Sequence, residues 1–125
     1  TACKPGAPIC LFIDWRQLPS MTDALQWAGW TWRGIAVWDK PSGRPQRGRF
    51  RQQAEFIVWG SNGKMPLERN VGCLPGGRIL DPFAGSGTTI LAAVQEGYEA
   101  VGIELTDAYF QLGTQRVKQV LESQK

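Results

Sequence analysis

The sequence contains no histidine, and its three cysteines are scattered without a Cys-x-x-Cys pair. Protein zinc sites are built mainly from cysteine and histidine, so we expect no metal. No apolar run approaches the ~20 residues that a membrane-spanning helix needs. No charged-then-apolar signal peptide opens the chain. We therefore expect a cytoplasmic protein with reduced thiols and no membrane partner.

The bulk composition is that of an ordinary globular protein. The chain has 125 residues, 42% of them hydrophobic, and a formal net charge of +3. This length favours one domain over residues 1–125. The slight basic excess is compatible with a polyanionic partner without requiring one. The first residue is Thr1 and not Met, so we expect the natural N-terminus to lie upstream.

Short apolar strands alternate with amphipathic helices along the chain. Strands are predicted at 9–13, 30–38, 55–59, from 78, and at 100–103, with helices after Ser20, Gly87 and Thr106. The run Ile9–Ile13 is continuous and apolar, which is typical of a fully buried strand in a parallel sheet. The alternation predicts an α/β fold with a mostly parallel sheet.

A strand that runs through a glycine loop into a helix is the most informative stretch. It reads Ile79-Leu80-Asp81-Pro82-Phe83-Ala84-Gly85-Ser86-Gly87-Thr88-Thr89. A phosphate-binding P-loop would need a lysine that is missing here. A dinucleotide fingerprint would need a third glycine where Ile90 stands. S-adenosylmethionine has no phosphate and fits better, with Asp81 either accepting from its ammonium group or orienting the loop.

Glu104 follows the next strand, about 20 residues beyond the loop glycines. An acid at this place can accept hydrogen bonds from both ribose hydroxyls. The alternative is that Glu104 only caps the helix that starts near Thr106. Phe83 has two interpretations as well, contact with the cofactor or packing in the core behind the loop.

Asp81–Thr89 followed by Val101-Gly102-Ile103-Glu104 resembles the cofactor motif of bacterial and phage DNA amino-methyltransferases. The late position of the glycine motif resembles their permuted β group. The resemblance implies a Rossmann-like methyltransferase fold with helices on both faces of the sheet. It implies methyl transfer from S-adenosyl-L-methionine to an exocyclic amine of double-stranded DNA, with adenine N6 preferred over cytosine N4. The implied cofactor residues are Asp81, Pro82, Phe83, Ala84, Gly85, Ser86, Gly87, Thr88, Glu104 and Leu105.

Two departures from this family limit the prediction. The catalytic tetrapeptide Asp-Pro-Pro-Tyr, or a close variant, is absent, so the catalytic residues are unknown. The target-recognition region expected between Asn70 and Leu80 is also missing. We expect that residues 1–59 form a DNA-facing half, 60–77 a loop and 78–125 the cofactor half, and that this segment alone is inactive. The alternative is a non-catalytic relative that binds the cofactor or DNA.

Residues 41–51 carry four arginines and no acid between glycine and proline residues. A solvated loop and a phosphate-binding loop fit this pattern equally well, and the family resemblance favours contact with DNA. We therefore assign Arg44, Arg47 and Arg49 to the DNA backbone. Trp15, just after the first strand, is predicted to line the active cleft. The oligomeric state is left open.

Overall fold

The structure, a computed structural model, describes residues 3–41, 43–45, 47–65 and 77–123. It divides into two compact units, residues 1–72 and 73–125. The assignment of residues 1–125 to one domain stays a prediction. Residues 66–76, which include most of the junction where a recognition region was expected, lie outside the described residues.

The N-terminal unit is a three-stranded sheet with one helix. Strand β1 spans Pro8–Ile13, helix α1 Leu18–Trp27, β2 Thr31–Asp39 and β3 Ala54–Ser61. A 3-10 turn at Trp15–Gln17 joins β1 to α1. The strand order is β1-β3-β2, and β3 runs antiparallel to both neighbours.

Helix α1 ends at a glycine, as the sequence predicts. Gly29 has φ +84°, its N–H donates to the Gln26 carbonyl, and the Trp30 N–H donates to Leu25. These two bonds make a Schellman motif, which favours glycine because of the left-handed conformation. Leu25 is buried, and a Cβ on Gly60 of β3 would come within 3.1 Å of its Cδ2. Gly60 therefore lets the helix pack closely on the sheet.

Strand β1 corrects one prediction. It is antiparallel to β3, and its residues alternate between exposed and half-buried positions, so it is not a fully buried parallel strand. Strand β1 has an antiparallel neighbour because β3, which follows residues 40–53, lies between β1 and β2 in the sheet. Among the described residues only one strand pairing is parallel, so a mostly parallel sheet is not confirmed.

The C-terminal unit contains that parallel pairing. Strand β4 spans Arg78–Asp81, helix α2 Thr88–Gln95, strand β5 Glu99–Gly102 and helix α3 Asp107–Ser123. Strands β4 and β5 are parallel, with Asp81 paired to Gly102. Gly97 ends α2 in a second Schellman motif, in which Gly97 and Tyr98 donate to Val94 and Ala93.

Helix α2 packs on the parallel pair, with Ala93 buried. A Cβ on Gly102 would lie 2.9 Å from Cγ1 of Ile90 and 3.0 Å from Cβ of Ala84, so a larger residue would push the helix away. No helix in the described part of the chain is long and apolar enough to cross a membrane.

Candidate functional site

The glycine loop and Glu104 meet at the carboxyl ends of β4 and β5. The pairing of Asp81 with Gly102 brings the two strand ends side by side. Two backbone bonds continue the pairing beyond the strands: Ile103 N–H donates to Asp81 O, and Ala84 N–H donates to Ile103 O, each at 2.9 Å. The local βαβ pattern predicted this juxtaposition, because parallel strands end at the same sheet edge.

Two glycines give the loop its shape. Gly85 has φ +53° and Gly87 φ +77°, a region that residues with a Cβ rarely adopt. Gly87 is also the N-cap of α2, and among the described residues no side chain caps the N–H groups of the first turn. The loop therefore presents backbone donors at a helix start, next to a position without a side chain.

The Glu104 carboxylate contacts both sides of the site. Its Oε2 accepts from the Gly85 N–H at 2.8 Å, and its Oε1 accepts from the Thr106 N–H at 2.9 Å. The N–H donors of Thr106 and then Gly85 lower the pKa of this carboxyl below its ordinary value, so Glu104 is ionised near neutral pH. Oε1 therefore caps the start of the following helix, as one of the two interpretations predicted, and Oε2 holds the glycine loop.

Asp81 orients the loop from the other strand. Its Oδ1 accepts from the Phe83 N–H at 3.0 Å, which fixes the turn that follows β4. This contact corresponds to one of the two predicted roles of Asp81. The other role, acceptance from the ammonium group of a cofactor, stays a prediction.

The two large apolar side chains assigned to the site are open to solvent. Phe83 is 88% exposed and Leu105 97% exposed. Packing of Phe83 in the core behind the loop is therefore wrong. Pro82 and Thr88 are also exposed, whereas Ala84, Gly85 and Ser86 are half-buried and Gly87 is buried.

A cavity of about 220 Å³ adjoins the loop. The loop, α2 and the end of β5 contribute Ala84, Gly85, Gly87, Ile90, Gly102 and Glu104, and α3 contributes Phe110, Gly113, Thr114, Val117 and Lys118. The sequence did not indicate the α3 residues, because an apolar stripe on a helix predicts burial without naming the partner. The one available signal was Gly113, a glycine inside a helix.

The arginine segment, residues 41–51, lies between β2 and β3 in the N-terminal unit. Its ends are joined, since Lys40 N–H donates to Gln53 O at 2.7 Å and Gln53 Nε2 donates to Asp39 Oδ1 at 2.6 Å. Arg44, Arg47 and Arg49 are exposed, and no described residue gives them a hydrogen-bond or ion-pair partner. Arg51 differs, because its guanidinium donates to the Pro41 carbonyl.

Trp15 lines a second cavity, of about 230 Å³, within the N-terminal unit. Its walls also include Phe12, Ile13, Asp14, Gln52, Ala54 and Glu55. The Asp14 carboxylate accepts from the N–H of Arg16 at 2.9 Å, and this bond lowers its pKa. Trp38 meets Phe12 edge-on at 6.0 Å, and Lys40 lies 4.7 Å from the Trp38 ring centre while pairing with Glu55. The place of Trp15 in an active cleft stays a prediction.

Comparison with known proteins agrees with the resemblance seen in the sequence. A family model described as DNA methylase matches residues 70–115, which include the glycine loop and Glu104. The type II methyltransferase M.SmaI of Serratia marcescens is 28% identical over 153 residues, covering 84% of this chain and 51% of that protein. The chain is related to the DNA amino-methyltransferases. The DNA adenine methyltransferase YhdJ of Escherichia coli is 44% identical over 43 residues, 34% of this chain and 15% of YhdJ.

Solved structures share the fold of this chain. The crystal structure of M1.HpyAVI superposes with a TM-score of 0.81 and 26% identity, covering 91% of this chain and 74% of M1.HpyAVI. The M1.HpyAVI-SAM complex gives 0.79 at 24% identity, with 91% and 76% covered. The α/β fold is therefore that of DNA methyltransferases. The chain spans about half the length of three type II methyltransferases that it matches over most of its own length, and 30% of the length of a fourth, M.BglI of Bacillus subtilis.

Proposed function

We propose that this chain provides the cofactor-binding part of a DNA methyltransferase that uses S-adenosyl-L-methionine. The observation that carries the proposal is the 2.8 Å bond from the Gly85 N–H to Glu104 Oε2. It joins a glycine loop to an ionised acid at the carboxyl edge of a parallel strand pair, the place where α/β sheets bind ligands.

The residues present fit this cofactor chemically. Glu104 accepts one protein N–H on each oxygen, and an ionised carboxylate offers about four acceptor sites, which leaves capacity for two ribose hydroxyls. Gly85 carries no side chain that would fill the approach to the loop. Exposed Phe83 and Leu105 offer apolar surface for an adenine ring. The M1.HpyAVI-SAM complex, on a similar fold, supports the same choice.

The part played by these residues is binding and orientation. When bound, the cofactor supplies a methyl group already activated on a sulfonium. Asp81 and Glu104 hold the loop, and the loop fixes the donor in one place. A fixed donor lowers the entropic part of the barrier to in-line transfer.

The acceptor that we propose is the exocyclic amine of a base in double-stranded DNA. Exposed Arg44, Arg47 and Arg49, free of protein partners among the described residues, support contact with phosphates. We favour adenine N6 over cytosine N4, a choice that the partial similarity to the adenine methyltransferase YhdJ supports.

A second candidate is a non-catalytic relative that binds the cofactor or DNA. The absence of Asp-Pro-Pro-Tyr or a close variant in the 125 residues favours it. A base amine is a poor nucleophile because its lone pair is delocalised into the ring, so a methyltransferase needs acceptors that polarise the flipped base. No residue of this chain is assigned to that task, and we propose that the 125 residues alone do not methylate DNA.

Tritiated-methyl transfer to unmethylated genomic DNA tests the function. The 125-residue chain and the product of the complete gene are compared, and the modified nucleosides are identified by mass spectrometry. We expect N6-methyladenine with the complete product and none with the chain alone. N4-methylcytosine would move the target to cytosine. A folded complete product that contains the tetrapeptide and yet transfers no methyl would favour the non-catalytic relative.

A further inference from the structure

Arg116 of α3 reaches across to the glycine loop. Its Nη1 donates to Ser86 O at 2.8 Å, to Ser86 Oγ at 3.0 Å and more weakly to Thr88 Oγ1 at 3.4 Å. No carboxylate among the described residues pairs with this half-buried guanidinium. A single side chain therefore binds three oxygens of the segment 86–88.

The guanidinium of Arg116 lies where a positive charge is electrostatically unfavourable. Ser86 and Thr88 lie at the N-terminus of α2, where the aligned peptide dipoles give a partial positive charge. A cation is unfavourable there in general, so the bonds to the loop oxygens must account for the position of Arg116.

Gly113, one helical turn before Arg116, brings the two segments into contact. It is buried inside α3, where glycine is destabilising compared with alanine. A Cβ at Gly113 would lie 3.2 Å from the carbonyl carbon of Ser86, and a Cβ at Gly87 would lie 3.1 Å from the Gly113 Cα. Residues three apart share a helix face, so Gly113 and Arg116 meet the loop together.

We propose that Arg116 is a positioning residue for the cofactor loop. It holds Ser86 and Thr88 while Gly85 and Gly87 keep their left-handed conformations, and this keeps the Gly85 N–H directed at Glu104. The inference rests on the proposed function for its readout in cofactor affinity. The role of Arg116 extends that function, because a residue of α3 then controls the conformation of the loop that Glu104 contacts.

The test compares Arg116→Gln, Arg116→Lys and Arg78→Gln in the whole chain. Among the described residues Arg78, at the start of β4, pairs with exposed Glu99, so its loss removes the same charge at the opposite end of the strand from the loop. We expect Arg116→Gln to weaken S-adenosylmethionine binding about tenfold, equivalent to about 1.4 kcal/mol. Arg78→Gln should bind like the wild type. Lysine keeps the charge but ends one bond short of Nη1, so we expect it to restore only part of the affinity.

Amide hydrogen exchange at residues 85–88 gives a second readout that does not depend on the cofactor. We expect faster exchange there in Arg116→Gln than in Arg78→Gln, with an unchanged melting temperature. Should the wild-type chain fail to bind the cofactor, the proposed function fails, and the exchange rates still decide the role of Arg116. Unchanged exchange at residues 85–88 would overturn the proposal, as would wild-type affinity in Arg116→Gln. If Arg116→Gln does not fold, Arg116→Met decides, because it keeps an apolar stem and removes every donor; unchanged exchange at residues 85–88 in that folded variant would overturn the proposal.

Discussion

The Glu104 side chain is compatible with both of the roles that the sequence presented as alternatives. The sequence allowed a ribose acceptor or a helix cap, as if these roles excluded each other. In the structure one oxygen caps the start of α3 and the other accepts from the loop. A carboxylate has enough acceptor sites for both protein bonds and a ligand, and this capacity is visible only when the donors are in place.

The lowered pKa of Glu104 predicts how stability depends on pH. The Thr106 and Gly85 N–H groups bind the ionised form, so the folded pKa lies below the ordinary value of 4.5. Such a group stabilises the fold above its unfolded pKa and loses that contribution as the pH falls through the folded value. We expect the wild type to melt above Glu104→Gln near neutral pH, with the difference shrinking in acid.

Calorimetric melting from about pH 7 to about pH 3 measures this difference. Glu122→Gln serves as the control, because Glu122 is exposed near the end of α3. A difference between the wild type and Glu104→Gln that is constant over the range, or grows in acid, would contradict the assigned hydrogen bonds.

The exposure of Phe83 could not be predicted from its neighbours in the sequence. Its place in the motif indicated a role near the cofactor, but its apolar character indicated the core equally well. The backbone decides, because the Asp81–Phe83 bond turns the chain at the strand end and leaves the ring 88% exposed. Burial depends on such turns and on distant neighbours, which a local pattern does not contain.

At the scale of elements, local signals located every predicted helix and strand to within a few residues. Gly29 and Gly97 end α1 and α2 as expected, because the left-handed conformation there favours glycine. Pairing direction could not be predicted in the same way. Since β1 and β2 are both antiparallel to β3, they run in the same direction, as the β-α-β alternation implies. The insertion of β3 between them depends on contacts distant in sequence.

The arginine segment between β2 and β3 yields a prediction at this scale. Changing Arg44, Arg47 and Arg49 to Gln should weaken binding of the chain to all DNA duplexes similarly. Neutral glutamine releases no counterions, so the salt dependence of log K should become shallower by about 0.9 for each phosphate that the variant no longer neutralises. Fluorescence anisotropy over a range of salt concentrations measures both effects.

A matched variant separates this segment from net charge. Changing Lys4, Lys64 and Arg78 to Gln removes three positive charges at exposed positions elsewhere. Comparable loss of affinity in the two variants would show that total charge, and not the segment, attracts DNA. A loss confined to one recognition sequence would indicate base contacts in place of phosphate contacts.

At the level of the whole molecule, the chain spans about half the length of M.SmaI and of two further type II methyltransferases that it matches along most of its own length. Its glycine loop, Glu104 and α3 lie in one compact unit, residues 73–125. The sequence predicted this unit most completely, because a βαβ unit brings its ligand-binding residues together through contacts close in sequence. Binding of the methyl donor is therefore the property that we propose for the chain itself.

Calorimetric titration of the chain with S-adenosylmethionine measures whether these 125 residues bind the methyl donor. We expect saturable binding for which nicotinamide adenine dinucleotide does not compete. Glu104→Ala should weaken binding by about 1–3 kcal/mol, the cost of losing hydrogen bonds to a charged group, while Glu122→Ala binds as the wild type does. Unchanged affinity in a folded Glu104→Ala variant would contradict the assignment of Glu104, and absence of binding to the folded wild-type chain would contradict the cofactor site as a whole.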